Sequence, residues 1–307
     1  MKRPSARIEF TLMADVLPTR SALVSRVLPF SCVDGPGNRL VLFLQGCNFR
    51  CPGCHNPHTI GLCDDCGDCL AVCPSSALTL NEGKVQWQAT RCTDCDACLD
   101  VCPRSANPKT STMTVAEVLT LLRRYGPLLS GITVSGGEAT TQLPFVVALF
   151  TAIKAAPDLA HLTCLLDSNG SLAESGWQRL LPVLDGAMLD LKGWRDSVHH
   201  TLTGYGRERI LASLELLARH GKLTELRLLH VPDKSDFLDV SGELDADLAA
   251  FLLRLGPVPI RINGFRHHGV RGEAAQWPQA RQTELEQLAS CLRAAELGPV
   301  SLPALMG

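Results

Sequence analysis

The chain has 307 residues, 46% hydrophobic and 20% charged, which suffices for one large domain, or one domain with a small insertion, and is too apolar for a disordered chain. Lysine and arginine number 29 against 31 aspartate and glutamate, a net charge of −2, so no overall charge points to nucleic acid or a membrane surface. No window approaches the roughly 18 apolar residues of a spanning helix, and the basic N-terminal start is interrupted by Glu9 and Asp15, which makes a poor export signal.

Residues 1–20 carry no readable pattern and are set apart as an N-terminal extension. Arg39–Gly46 (RLVLFLQG) reads as the first strand. It is short and almost continuously apolar, as parallel strands buried on both faces are. Thr114-Val-Ala-Glu117 reads as a capping box that opens an amphipathic helix to about Tyr125. Further strands follow at Gly131–Ser135, His161–Asp167, Gly186–Leu191, Glu225–Val231 and Pro259–Phe265. Helical patterns fit near 142–156, 171–182, 206–219 and 241–255. Strand alternating with helix predicts an α/β fold with a parallel sheet. Six such units do not complete an eight-stranded barrel. The expected architecture is a partial, TIM-type (β/α)6 barrel with its chemistry at the C-terminal ends of the strands. A tail over 276–307 carries one more helical run, at 280–297.

Cysteine is the compositional outlier. There are fourteen, and without an export signal they argue for reduced thiols in the cytoplasm rather than a disulfide framework. Eleven lie between Cys47 and Cys102, and such clustering suggests metal. Cys32, Cys164 and Cys291 stand apart and read as small buried residues. The one interval that breaks the strand–helix alternation, 63–107, holds seven acidic against three basic residues. It reads as an inserted domain, with the core over 21–62 and 108–275.

That insertion repeats itself. Cys63, Cys66, Cys69 and Cys73 precede Pro74; Cys92, Cys95, Cys98 and Cys102 precede Pro103. Both runs fit the C-x2-C-x2-C-x3-C-P spacing of bacterial ferredoxins, in which the fourth cysteine serves the other cluster. The expected ligand sets are Cys63, Cys66, Cys69 and Cys102 for one [4Fe–4S] cluster, and Cys92, Cys95, Cys98 and Cys73 for the second. Zinc knuckles would need neither the third CxxC step nor the trailing Cys-Pro.

A third group, Cys47-Asn-Phe-Arg-Cys51-Pro-Gly-Cys54, follows the first strand. Three thiolates can hold three irons of a cube and leave the fourth open for a substrate, as a three-ligand zinc site is open. The alternatives are a cluster completed by a distant cysteine and a zinc site using His55 or His58.

This loop resembles that of the radical S-adenosylmethionine (SAM) superfamily. There the three cysteines hold a [4Fe–4S] cluster, and SAM chelates the fourth iron through its amino and carboxylate groups. Ser135-Gly136-Gly137-Glu138 resembles the family's GGE motif for the SAM amino group, although Ala139 stands where relatives often have proline. The stretch VDGPGNRLVLFLQGCNFRCPGCHN narrows the resemblance to the glycyl radical enzyme activating enzymes, the pyruvate formate-lyase activase group. Leu166-Asp167-Ser168-Asn169-Gly170 and Met188-Leu189-Asp190-Leu191-Lys192 resemble two further strand ends of that group. ALVSRVLPFSCVDGPG and FRHHGVRGEA look most like the YjjW-type activases, which share a two-cluster insertion.

The resemblance implies that Asp167, Asn169 and Asp190 lie near SAM and a bound monovalent cation, and that Lys192 reaches SAM. It makes Arg227 and His267 (or its neighbour His268) candidates for SAM contacts, and Asp34 a candidate contact for the partner's glycine loop. Arg227 reads equally as a strand-edge ion pair, and either aspartate as a helix cap. The implied activity is reductive cleavage of SAM and abstraction of hydrogen from a glycine of a partner glycyl radical enzyme, with electrons from a flavodoxin- or ferredoxin-type reductant. Three clusters and SAM are the implied cofactors. Another radical SAM reaction on a small molecule or peptide, and a multi-cluster electron-transfer protein, are the alternative readings.

Overall fold

The strand expected to come first is the second strand of the described chain. The computed structural model describes residues 19–302, so the expected extension over 1–20 lies almost wholly outside the described residues. Strand β1 spans Ser21–Ser31 and β2 spans Arg39–Leu44. Ser21, Ser25, Arg26 and Pro29 break the apolar pattern of β1, which hid it from a reading based on periodicity. β2 is the expected apolar run, with Leu40, Val41, Leu42 and Leu44 all fully buried.

The described chain divides into two compact units. The first comprises residues up to 47, then 58–165 and 182–184. The interval 63–107 lies wholly inside it. That interval carries a hairpin of β3 (Leu78–Asn81) and β4 (Lys84–Trp87). The hairpin turns at Glu82 and Gly83 with φ of 50° and 75°, the two left-handed residues of a type I′ turn. One turn of helix, α1 (Ala97–Asp100), follows. Cys69, Leu78, Cys98 and Leu99 form a small core, against which Leu70, Cys73, Val85 and Trp87 pack.

The cysteine repeat extends to the backbone. Left-handed residues recur at an offset of 29: Asp65 and Asp94, Gly67 and Asp96, Ser76 and Ser105. The hydrogen bonds from Cys73 N–H to Leu70 O and from Ser76 N–H to Cys73 O recur as Cys102 to Leu99 and Ser105 to Cys102.

After the insertion come β5 (Ser111–Thr114) and α2 (Val115–Tyr125). The expected capping box is present: Thr114 Oγ1 accepts from Glu117 N–H at 3.3 Å, and the Glu117 carboxylate accepts from Thr114 N–H at 2.7 Å. β6 (Gly131–Gly136) and α3 (Leu143–Ala155) complete the unit. β1 pairs antiparallel with both β2 and β5, and β2 pairs parallel with β6.

Arg39, at the start of β2, is only 1% exposed. A buried guanidinium is tolerated when its donors are satisfied. Here Nε donates to Thr133 Oγ1 at 2.7 Å, Nη1 to Thr163 Oγ1 at 2.9 Å, and Nη2 to Ile132 O at 2.6 Å and Thr163 O at 2.9 Å. Nη1 also reaches Pro36 O, and Thr133 Oγ1 donates to Asp34 O at 2.6 Å. The Asp34–Gly37 turn is thereby buckled to the starts of the neighbouring strands.

The second unit comprises 48–57, 166–181 and 185 onward. β7 (Thr163–Ser168) leads the chain into it. Then come α4 (Glu174–Leu180), β8 (Gly186–Leu191), α5 (Asp196–Thr203), α6 (Glu208–Arg219), β9 (Leu223–His230), α7 (Ala246–Leu255), β10 (Ile260–Gly264), α8 (Gln282–Ala294) and β11 (Val300–Ser301). β8, β9, β10 and β11 pair in that order, all parallel, as the alternation predicts. Helix α7 starts five residues later than the pattern suggested. Asp245 sets that start, its carboxylate accepting from the N–H groups of Asp247 and Leu248 at 3.0 and 3.1 Å.

Cys164 is buried as expected and Cys291 is half-buried, but Cys32 is exposed. The expectation of a buried Cys32 fails because the residue lies just beyond β1, in the turn toward β2, and not within a strand. Among the described residues no helix is long and apolar enough to cross a membrane.

Candidate active site

In the first unit the chemistry gathers where β2 and β6 end. Cys47 follows β2, and its N–H donates to Ile60 O at 2.9 Å. The N–H of Gly46 donates to Thr59 O at 2.9 Å, and Gly46 O accepts from Glu138 N–H at 2.8 Å. Two glycines make this crossing possible. A Cβ on Gly136, whose φ is 132°, would stand 2.1 Å from Leu44 O; one on Gly137 would stand 2.4 Å from Thr59 O. No side chain fits either place. Ser135 is buried on β6, and Glu138 is 2% exposed. Glu138 Oε1 accepts from Thr140 N–H at 3.0 Å and Thr140 Oγ1 at 2.6 Å. Asp34 stands at the other end of β2 from Cys47, roughly 20 Å away along six extended residues. Its carboxylate accepts from Ser31 Oγ at 2.5 Å.

The insertion holds two small cavities of similar size. Cys63, Cys66, Cys69 and Cys102 line one, with Asp64 and Asp68. Cys73, Cys92, Cys95 and Cys98 line the other, with Asp96 and Lys109. Each wall thus takes three thiols from one repeat and the trailing cysteine of the other. Lys109 Nζ lies 2.5 Å from Asp96 Oδ1 and 3.6 Å from Asp94 Oδ1. Among the described residues no three His, Cys, Asp or Glu side chains converge tightly enough to hold one metal ion.

In the second unit the rest of the cysteine loop is held by its own side chains. Phe49 stacks on Tyr205 with centroids 4.8 Å apart and meets the edge of His199 at 6.2 Å. Arg50 N–H donates to Thr203 O. Asn48 Nδ2 donates to Ser171 Oγ at 2.7 Å, and Asn169 Nδ2 donates to Asn48 Oδ1 at 3.0 Å. The loop is therefore tied to the residues that follow β7.

Charged side chains from three strands meet in this unit. Lys192 Nζ lies 2.6 Å from Asp190 Oδ2. Arg227 donates to Asp167 Oδ1 at 2.9 Å and Glu225 Oε1 at 2.6 Å. Burial opposes ionisation of Asp190, but Lys192 and Arg227 outweigh it and hold its carboxyl below the usual range. Burial pushes the Cys51 thiol up to about 11, against the pull of Lys192, and also raises Cys54. His267 Nε2 donates to Trp277 O at 2.7 Å, and both His267 and His268 are exposed.

The radical SAM superfamily model matches residues 41–240. The chain is 31% identical over 218 residues to the pyruvate formate-lyase-activating enzyme of Streptococcus mutans, covering 70% of this chain and 68% of that one. It is 33% identical over 248 residues to the benzylsuccinate synthase activating enzyme of Thauera aromatica, covering 73% and 72%. The chain belongs to the radical SAM family of glycyl radical enzyme activating enzymes. A crystal structure of QueE from Escherichia coli matches 98% of this chain and 99% of that one, with a TM-score of 0.50 and 11% identity. That likeness concerns the fold alone.

A radical SAM enzyme carries a [4Fe–4S] cluster and SAM, and the residues present fit both. Thiols are the ligands that iron–sulfur clusters take. Beside them, His55 Nε2 is buried without a hydrogen-bond partner, the kind of group a bound molecule would satisfy. Glu138 is a buried carboxylate, the charge that an ammonium group takes.

Of the expected residues in this activase, Cys47, Ser135, Gly136, Gly137 and Glu138 share the first unit's crossing. Cys51, Cys54, Asp167, Asn169, Asp190, Lys192 and Arg227 belong to the second. Neither aspartate is the cap of the helix that follows its strand: the N-cap positions of α4 and α5 are Ala173 and Arg195. Several residues were missed, Asn48, Ser171 and Lys109 among them. Asn48 and Ser171 have no motif of their own; only Asn48's place inside the cysteine loop could have flagged it. Lys109, outside the cysteine runs, is a cationic wall that spacing does not reveal.

Proposed function

We propose that this activase takes a hydrogen atom from one glycine of a partner glycyl radical enzyme. The observation that carries the reading is the bond from Glu138 N–H to Gly46 O, which sets the GGE segment against the first cysteine of the loop. When bound, a [4Fe–4S] cluster on Cys47, Cys51 and Cys54 together with SAM supplies the reductive cleavage that yields methionine and a 5′-deoxyadenosyl radical.

The chain's own residues bind, orient and shield. Ser135, Gly136, Gly137 and Glu138 take the SAM amino group, an ammonium meeting a buried carboxylate. Lys192, Asn169, Arg227 and His267 contact the rest of SAM. Asp167 and Asp190 anchor those cations and would take a monovalent cation in competition with them. Asp34 contacts the partner's glycine loop. Phe49, Tyr205 and His199 keep water from the cysteine loop. The interval 63–107 is a ferredoxin-like domain. Its two cavities hold a [4Fe–4S] cluster each and pass electrons from a flavodoxin- or ferredoxin-type reductant to the core.

The test is anaerobic reconstitution with iron and sulfide, an iron count, and assay of 5′-deoxyadenosine after adding SAM and dithionite. Three cubes predict about twelve irons per chain. Cys51→Ala should abolish 5′-deoxyadenosine while about eight irons remain in the insertion. Wild-type protein with full iron that forms no deoxyadenosine, even with the partner enzyme present, would instead be an electron-transfer protein.

A further inference from the structure

The two cavities of the insertion are alike in size and thiol count but not in their attachment to Cys47. One three-residue strip, Thr59–Gly61, makes the difference. On one side it bonds the start of the cysteine loop: Thr59 O accepts from Gly46 N–H, and Ile60 O accepts from Cys47 N–H, both at 2.9 Å. On the other side it bonds the end of the insertion. Gly61 N–H donates to Ser105 O at 2.9 Å, and Thr59 bridges Ala106 in antiparallel pairing. The approach is so close that a Cβ on Gly61 would stand 1.8 Å from Arg104 O. Gln45 Nε2 holds the strip from behind, donating to Gly61 O at 2.6 Å and His58 O at 2.8 Å.

The C-terminal end of this strip and the segment paired with it lead to the same cavity. Cys63 lies two residues beyond Gly61, and Cys102 lies three residues before Ser105. Both thiols line the cavity of Cys66 and Cys69. From Cys63 the route to Cys47 is three residue steps of chain and one hydrogen bond. Farther along the chain from this strip lie the cysteines of the other cavity. Its nearest thiol in the chain, Cys73, is thirteen residues from Ile60. Its wall residue Lys109 leads instead to β1, through Lys109 N–H to Asn107 Oδ1 and Asn107 Nδ2 to Ser25 Oγ.

We infer that the two insertion sites work in a fixed order: the Cys73/Cys92/Cys95/Cys98 site is the distal one, and the Cys63/Cys66/Cys69/Cys102 site is the proximal one that hands the electron to Cys47 through Thr59–Gly61. This rests on the proposal that both cavities hold clusters. One electron enters from a low-potential carrier, which is oxidised by one unit. It would leave the proximal site across the Gly61–Ile60 peptide and the Cys47 N–H hydrogen bond and reduce by one electron the cluster proposed on Cys47, Cys51 and Cys54, with no proton or bond exchanged on the way.

The experiment uses the reconstituted full chain with SAM bound and reduced flavodoxin as donor, followed by freeze-quench electron paramagnetic resonance. The core signal is the one that changes when SAM is added. Iron comes first: about four irons instead of about twelve would overturn the two-cluster reading itself, before any question of order. Where the wild-type chain carries full iron, Cys66→Ala should slow growth of the core signal by roughly tenfold, a barrier change of about 1.4 kcal/mol, while the remaining insertion signal still grows. Cys95→Ala should leave the proximal signal able to feed the core, with a smaller loss. Gly61→Ala should keep all three signals and still slow the core. Larger slowing by Cys95→Ala than by Cys66→Ala would reverse the order. A core rate untouched by Gly61→Ala, with iron and signals intact, would remove the strip as the route.

Discussion

Arg227 Nη1 lies 2.9 Å from Asp167 Oδ1 while its Nε lies 2.6 Å from Glu225 Oε1, so one guanidinium joins carboxylates of two strands. Its side chain is 12% exposed and theirs 20% each. Burial disfavours its charge, but Asp167, Asp190 and Glu225 outweigh that and hold it protonated. Arg227→Ala removes the partner that Asp167 and Glu225 share and should cost about 3 kcal/mol in chemical denaturation. Arg227→Lys should recover only part, because an ammonium cannot fork between two acceptors. A loss within about 0.5 kcal/mol for the alanine variant would mean water solvates the site.

Gly137 sits where any side chain meets backbone oxygens of Thr59 and Gly46, at 2.4 and 2.5 Å. Gly137→Ala should open the crossing beside Cys47 and abolish SAM binding in calorimetry. Gly83→Ala, at a turn with open space around it, serves as the control for a glycine lost elsewhere and should leave SAM affinity unchanged. Retained SAM affinity in Gly137→Ala would show that the crossing is not part of the SAM site.

Arg39→Met keeps the stem and removes the fork that satisfies Thr133, Thr163, Ile132 and Pro36. Stranding buried acceptors costs about 1–3 kcal/mol for each group left unsatisfied. Unfolding by urea should show a loss of about 3–5 kcal/mol. Limited proteolysis should then cut within the Asp34–Gly37 turn before anywhere else in the first unit. Cleavage spread evenly over that unit would deny the buckle its local role.

Burial holds His199 and His230 below the ordinary 6.5. His199 donates from Nδ1 to Tyr205 O, and His230 faces Glu284 Oε2 at 3.7 Å. Both stay neutral in the fold where the unfolded chain takes protons. Their contribution is intact above the unfolded value of about 6.5 and is lost as pH falls through the folded value. The slope is at most about 1.4 kcal/mol per pH unit for each histidine. Melting between pH 7.5 and 5.5 should show the decline, and the double variant His199→Gln, His230→Gln should flatten it. An unchanged slope would assign the acid sensitivity to other groups.

Much of this was legible in sequence because apolar runs and cysteine spacing are strong local signals. β8 falls on its expected residues, and the thiols grouped for each of the two insertion sites line one cavity apiece. What was missed depends on tertiary pairing. β1 mixes polar and apolar residues and is a strand by virtue of β2 and β5 on its two sides. α5 is a poor helix former, with β-branched and polar residues, yet Gly204 at φ 78° ends it as a left-handed C-cap, a signal the sequence did contain. The hairpin of β3 and β4 was likewise announced by Glu82-Gly83. Asn48 and Ser171 could not be read from local pattern, because each acquires meaning only from the other.

The crossed thiols of the insertion bear on its ancestry. If the chain were cut between the two 29-residue repeats, neither piece would own four thiols on one cavity, since each lends its trailing cysteine to the other. A forebear with a single repeat would be complete only as a pair of identical chains facing each other. In a single chain the two halves need not be alike: Lys109 stands on one wall, and Asp64 and Asp68 stand on the other.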